Sequence, residues 1–89
     1  MQREELTMLV TAVDSTTLAT IAYVAAHQTL WLEFRCGAVY GYSSVPSEVH
    51  QALLLADSKG AYFNRHIRGR FPYFRQPDKL LMPVPTSVD

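Results

Sequence analysis

The clearest regularity in the chain is an alternation of apolar and polar side chains across residues 30–35, with apolar residues at the even positions. Because successive side chains of a strand point to opposite faces, this period of two predicts a half-buried strand. Apolar runs over residues 6–13, 18–25 and 38–43 predict further strands around it. The connections between these runs are short, which favours an antiparallel meander.

A second pattern, with a period near 3.6 residues, begins after Pro46, a residue that suits the first turn of a helix. The apolar stripe at this spacing consists of Val49, Ala52, Leu53 and Ala56. Ser58 is a good N-cap for a second helix, which we expect over residues 59–68 with Gly69 after its end. The sequence therefore predicts an α+β domain, a small antiparallel β-meander of three to four strands followed by two short α-helices.

The length of 89 residues allows one small domain with a modest core. We expect an N-terminal strand or extension over residues 1–13, a folded domain over 14–75 and a Pro-containing extended tail over 76–89. No apolar run approaches the roughly 18 residues of a membrane span. Residues 1–5 carry two acids and lack the basic start of a secretory signal, so we expect a cytoplasmic protein with no membrane partner.

Charge is distributed unevenly although the formal net charge is zero. Residues 1–56 hold two basic and five acidic residues, whereas residues 57–89 hold six basic and three acidic ones. Between Lys59 and Arg75 there is no acidic residue. This segment is either a solvated basic face or a surface for an anionic partner.

Several motifs occur in order along the chain. Tyr40-Gly41-Tyr42 is followed by the Val45-Pro46 pair that begins the first predicted helix. Residues 58–64 then read Ser-Lys-Gly-Ala-Tyr-Phe-Asn, and Ile67-Arg68 and Phe71-Pro72-Tyr73 come after them.

Together these motifs resemble the KTSC domain, a small family named for its occurrence at the C-terminus of some lysyl-tRNA synthetases and also found in stand-alone bacterial and phage proteins. The resemblance covers about residues 14–75. Two positions depart from the family pattern: Phe71 stands where a tyrosine is expected, and Val24 stands where an aspartate is frequent. The resemblance implies no established activity, and its synthetase context suggests RNA binding.

The residues themselves also support a nucleic-acid site. Ser58, Lys59 and Gly60 would place a hydroxyl, an ammonium and free backbone N–H groups at a helix start, where an anion such as phosphate is favoured. The predicted phosphate contacts are Ser58, Lys59, Gly60, Arg65, Arg68 and Arg70. The predicted stacking rings for unpaired bases are Tyr40, Tyr42, Tyr62 and Tyr73. The alternative is that these residues cap the helix and anchor the end of the chain to a small core.

The orientation of Tyr40 and Tyr42 depends on the turn at Cys36-Gly37. A two-residue loop pairs Phe34 with Val39 and places both tyrosines on the face opposite Phe34, as an aromatic platform. A three-residue loop ending in glycine pairs Phe34 with residue 38 and places them on the core face. The sequence leaves both registers open.

No arrangement of residues indicates catalysis, a cofactor or a metal site, so we expect a protein that is not an enzyme. The three histidines are scattered, and the single cysteine, Cys36, has no histidine near it in sequence. We expect the protein to be a nucleic-acid-binding module, with RNA favoured, that binds phosphate through the basic segment. The alternatives are a protein-interaction module, which includes a homodimer, and a protein that sequesters a small phosphorylated ligand such as a nucleotide.

Overall fold

Five strands form one antiparallel sheet in which the order along the sheet is the order along the chain. This computed structural model describes residues 8–76. The strands are β1 (Met8–Ala12), β2 (Leu18–Val24), β3 (Thr29–Phe34), β4 (Val39–Tyr42) and β5 (Tyr73–Gln76). Between β4 and β5 lie α1 (Ser47–Leu55), α2 (Lys59–Tyr62) and a π-helical turn over Phe63–Ile67 that continues α2. No helix within these described residues is both long and apolar enough to span a membrane.

The predicted α+β class is confirmed, but the predicted number of three to four strands is wrong. The chain returns after the helices and adds β5 to the open edge of β4, with Tyr42 opposite Tyr73 and Val39 opposite Gln76. The helices are therefore not the last elements, and Gln76 belongs to the sheet and not to the predicted tail. Residues 1–7 of the predicted extension and 77–89 of the predicted tail lie outside the described residues.

The helices cover one face of the sheet, and the core lies between the two layers. Alternation places every second side chain of β2, β3 and β4 on this face, as the sequence pattern of β3 predicted. The buried cluster consists of Leu18, Ile21, Tyr23, Leu30, Leu32, Tyr42, Val45, Leu53, Phe63 and Ile67. Burying each large apolar side chain contributes about 1.5–3 kcal/mol to folding, so these residues are the main source of stability.

The turn between β3 and β4 has the three-residue form. The backbone N–H of Phe34 donates to the carbonyl oxygen of Ala38 at 2.8 Å, and Gly37 has a φ of 101°. A left-handed residue at this position suits glycine and produces the bulge that completes a three-residue hairpin loop. Tyr40 consequently lies opposite Leu32, and both tyrosines point to the core face.

The other face of the sheet carries a close aromatic contact across three strands. The rings of Trp31 and Phe74 meet edge to face with centroids 5.1 Å apart, over the backbone of Gly41. A Cβ atom at Gly41 would lie 2.6 Å from Cζ of Phe74. Because Gly41 has no side chain, it leaves room between the two tyrosines of β4 for this aromatic pair to pack against the backbone.

Candidate nucleic-acid interface

A cavity of about 600 Å³ opens between the β4–β5 edge of the sheet and the end of the π-helical turn. Its aromatic walls are Phe34, Tyr40, Tyr42, Phe63 and Tyr73. Polar and reactive groups are supplied by Asn64, Arg68 and the exposed thiol of Cys36, and no aspartate or glutamate among residues 8–76 lines the cavity. The cavity therefore combines ring surface with one positive charge.

The aromatic walls form one connected cluster. Tyr73 lies 5.8 Å from Tyr40 and 5.8 Å from Tyr42, measured between ring centroids. Phe63 lies 5.8 Å from Tyr42 and joins the cluster to the core under the helices. Tyr42 is 4% exposed and Tyr73 is 62% exposed, so the cluster runs from the core to solvent. Tyr73, at its outer end, has the ring most accessible to a ligand.

The surroundings of Tyr42 affect the ionisation of its hydroxyl group. Burial, together with the neighbouring phenols of Tyr40 and Tyr73, raises the pKa of Tyr42 to about 12, while the Arg68 guanidinium acts in the opposite direction. Arg68 is thus close enough to the Tyr42 hydroxyl to affect its ionisation. Tyr42 is a neutral hydrogen-bonding group at every physiological pH.

The π-helical turn brings Arg68 to the cavity. The backbone N–H of Arg68 donates to the carbonyl oxygen of Phe63 at 2.8 Å, five residues back, and Arg68 itself has an extended conformation. We expected an α-helix to continue through residue 68, and this prediction is wrong in two respects. The helical segment ends at Ile67, and its last turn, Phe63–Ile67, is π-helical and not α-helical. The Arg68 guanidinium Nη1 donates to Oδ1 of Asn64 at 3.4 Å, which orients the side chain at the cavity wall.

Arg75 adds a second cation beside the cavity. It lies opposite Tyr40 in the β4–β5 pairing, and its guanidinium carbon is 5.8 Å from the centroid of that ring, within range of a cation–π contact. Arg75 belongs to the basic segment of the sequence but was not among the predicted site residues. The signal that would have found it is the fifth strand, whose register places Arg75 and Tyr73 on the same face.

The three residues predicted at the helix start all contact the protein itself. The Ser58 side-chain oxygen accepts a hydrogen bond from the Ala61 backbone N–H at 3.2 Å, so the predicted N-cap is confirmed. The Lys59 ammonium donates to the carbonyl oxygen of Ala56 at 3.1 Å. A Cβ atom on Gly60 would lie 2.6 Å from Oγ1 of Thr17, so this glycine permits close packing against the chain before β2.

The remaining predicted site residues do not line the cavity. Arg65 and Arg70 are exposed near the π-helical turn. Tyr62 packs on His66, with ring centroids 4.5 Å apart, and against the core. Of the predicted residues, the structure brings together Tyr40, Tyr42, Tyr73 and Arg68. Sequence reasoning missed Phe34, Phe63 and Asn64 as lining residues because the helix and sheet patterns explained them as core or surface.

A smaller groove of about 380 Å³ lies between β1 and α1. Leu9 and Leu55 line it and are 53% and 81% exposed. His50 also lines it, although this residue is 3% exposed and its Nε2 has no hydrogen-bond partner among the described residues. Within residues 8–76, no group of three His, Cys, Asp or Glu side chains is placed to hold a metal ion.

Comparison with known proteins supports the resemblance inferred from the motifs. The family model of the KTSC domain matches residues 14–71. An uncharacterised protein of Stutzerimonas stutzeri is 48% identical over 54 residues, which are 61% of this chain and 76% of that protein. A lysine–tRNA ligase of Trichormus variabilis is 47% identical over 51 residues, which are 57% of this chain and 9% of the ligase.

A solved structure shows the same fold. The crystal structure of a KTSC domain protein from Yersinia pestis superimposes with a TM-score of 0.75 at 31% identity, and the match covers 79% of this chain and 99% of that one. The family model, the relatives and the fold therefore agree with the order of motifs in the sequence. The chain belongs to the KTSC domain family.

Proposed function

We propose that this domain is a non-enzymatic nucleic-acid-binding module, with RNA favoured over DNA, that acts in the cytoplasm. The observation that carries the proposal is the cavity lined by both Tyr73 and Arg68, with Arg75 over Tyr40 and no carboxylate among the described lining residues. Aromatic rings provide stacking surfaces for bases, and arginines neutralise phosphates. This combination is typical of surfaces that bind nucleic acid strands.

Flanking charge supports the same proposal. Arg65 and Arg70 are exposed on either side of Arg68 in sequence, so further cations are available to a strand close to Arg68 along the chain. Ser58, Lys59 and Gly60 already have contacts within the fold, and we therefore assign phosphate contact mainly to the arginines. The similar stretch in a lysine–tRNA ligase supports RNA as the ligand, because that enzyme acts on tRNA.

The test is binding of a fluorescent single-stranded RNA, and of its DNA counterpart, between about 50 and 200 mM salt. We expect affinity to fall steeply with salt and the slope of log affinity against log salt to flatten by roughly 0.7 for each phosphate contact removed. Arg68→Ala/Arg75→Ala should weaken binding most. Arg35→Lys is a control at an arginine that does not line the cavity, because the Arg35 guanidinium donates to the carbonyl oxygens of Val13 and Ser15 in the connection between β1 and β2.

Absence of binding to either strand at low salt would refute the proposal. Tighter binding of RNA than DNA would indicate contact with the 2′-hydroxyl. Saturation by a mononucleotide alone, with a rise in melting temperature, would instead support the small phosphorylated ligand.

A protein-interaction role is the second candidate, and the groove between β1 and α1 favours it. Exposed Leu9 and Leu55 face this groove, and β1 is an edge strand of the described sheet. Edge strands and apolar grooves are common sites for a partner chain, including a second copy of the same protein. Sedimentation of the pure protein at several concentrations distinguishes a homodimer from a monomer.

A further inference from the structure

We infer that the cavity receives one unpaired base of a single strand, stacked on Tyr73, so that the module selects single-stranded over duplex nucleic acid. This inference rests on the proposed function. It adds that the ligand is a single strand and that Tyr73 is the ring on which a base stacks. Three observations carry it: the exposure of each ring in the cluster, the shape of the site and the position of the cations.

Ring exposure singles out Tyr73. Tyr42 is 4% exposed, so its ring has no free surface for a base. Arg75 lies over the ring of Tyr40 and already occupies a position next to its face. Tyr73 is 62% exposed and lies at the end of the cluster. A base that enters the cavity therefore stacks on Tyr73.

The shape of the site explains the selection against duplexes. The rings line a concave cavity of about 600 Å³ between the sheet edge and the π-helical turn, a volume in the range of small-ligand pockets. Bases within a duplex are covered on both faces by their neighbours and cannot enter such a cavity unless they leave the stack, which costs a few kcal/mol. An unpaired base enters without this cost.

Charge completes the site. Arg68 lies in the cavity wall and is oriented by its hydrogen bond to Asn64, so it meets the phosphate of the nucleotide whose base is bound. Arg75 is next to the same ring cluster on β5. The part of the lining that the structure describes contains no carboxylate to repel the strand. One base and its adjacent phosphate therefore account for the aromatic and the cationic parts of the site together.

The experiment compares three ligands: a fluorescent single strand of about ten nucleotides, its duplex and a mononucleotide. It uses the whole protein and three variants, Tyr73→Leu, Tyr73→Phe and Phe74→Leu. Tyr73→Leu keeps an apolar side chain on β5 but removes the ring. Phe74→Leu is the matched control, because Phe74 is the next residue of the same strand and lies on the opposite face, against Trp31.

We expect the single strand to bind at least about tenfold more tightly than the duplex. Tyr73→Leu should weaken single-strand binding by about 5- to 150-fold, the range that stacking of one base contributes, and should leave duplex binding unchanged. Tyr73→Phe and Phe74→Leu should bind the single strand as the unmodified protein does. Circular dichroism confirms that each variant is folded.

Each contrary outcome has its own meaning. Equal, salt-sensitive binding of single strand and duplex would overturn the inference and leave the proposed function standing. Wild-type affinity in Tyr73→Leu would overturn the assignment of the stacking ring. Mononucleotide binding as tight as that of the strand would overturn the single-strand class in favour of a small ligand. Absence of binding by every ligand would refute the proposed function itself.

Discussion

At the scale of single residues, His50 links the stability of the fold to pH. Its imidazole stacks on Tyr23 with ring centroids 4.6 Å apart, and it is 3% exposed. Burial lowers the pKa of His50 below its usual 6.5, because the charged form loses hydration without gaining a partner. The neutral form is therefore the one that the folded state accommodates.

The sign of the resulting pH dependence follows from the lowered pKa. Above pH 6.5 His50 is neutral in both states and its contribution to stability is complete. As the pH falls below 6.5, the unfolded chain binds a proton that the folded chain does not, and the free energy of unfolding decreases by up to about 1.4 kcal/mol per pH unit. The loss continues down to the pKa of the folded state. Urea denaturation between about pH 7.5 and pH 5 measures this dependence.

His50→Phe keeps a ring against Tyr23 and should reduce the loss of stability below pH 6.5. His27→Gln is the control, because His27 is exposed in the 3-10 turn after β2, and it should retain the full dependence. Identical pH profiles for the two variants would show that His50 is not the group responsible.

At the scale of elements, two variants at the N-cap of α2 can distinguish a structural role of Ser58 from a ligand-binding role. Ser58→Ala removes the acceptor for the Ala61 N–H and should lower the free energy of unfolding by about 1 kcal/mol. Ser58→Asn retains a capping group and should restore most of that loss. We expect both variants to bind RNA with unchanged affinity, as measured by fluorescence anisotropy. A weaker affinity in the stable asparagine variant would instead indicate contact between the hydroxyl and phosphate.

The elements with a local signal could be predicted from the sequence. The alternation in residues 30–35 predicted β3, and Ser58 predicted the start of α2, because both patterns depend on neighbours in the chain. The turn at Cys36-Gly37 was compatible with two registers, and packing of the tyrosines against the core selected one. Short-range patterns do not contain that information.

β5 could not be predicted because its pairing is entirely long-range. Tyr73, Phe74 and Arg75 are all exposed, so the strand lacks the alternation of buried and exposed residues that marks β3. Pro72 and Pro77 flank it and indicate an extended segment without specifying a partner. Tyr73 was predicted as a stacking ring, whereas Arg75 was not selected, because only the pairing of β5 with β4 places Arg75 beside Tyr40.

At the scale of the whole molecule, the family match and the sheet cover different ranges of residues. The KTSC domain model covers residues 14–71, which contain β2 to β4 and the helices. β1 and β5, the two outer strands of the described sheet, lie outside this range. The cavity therefore combines a wall inside the matched range with one beyond it.

Truncation tests the contribution of the outer wall. A chain that ends at Pro72 should keep the helices but expose Tyr42, so that its pKa falls from about 12 toward 10. It should also unfold at a lower urea concentration, because β4 loses its pairing with β5. Absorbance titration of the tyrosines and urea denaturation measure the two effects. A chain that ends at Gln76 is the control, and equal behaviour of the two chains would contradict a role for β5 in forming the cavity.

The order of the strands has a consequence during synthesis. β5 follows the four other strands of the described sheet and both helices along the chain, so it leaves the ribosome after them. Among the elements that the structure describes, the wall that carries Tyr73 and Arg75 is therefore the last to emerge. Under the proposed function, a nascent chain acquires its complete RNA site only when β5 has paired with β4.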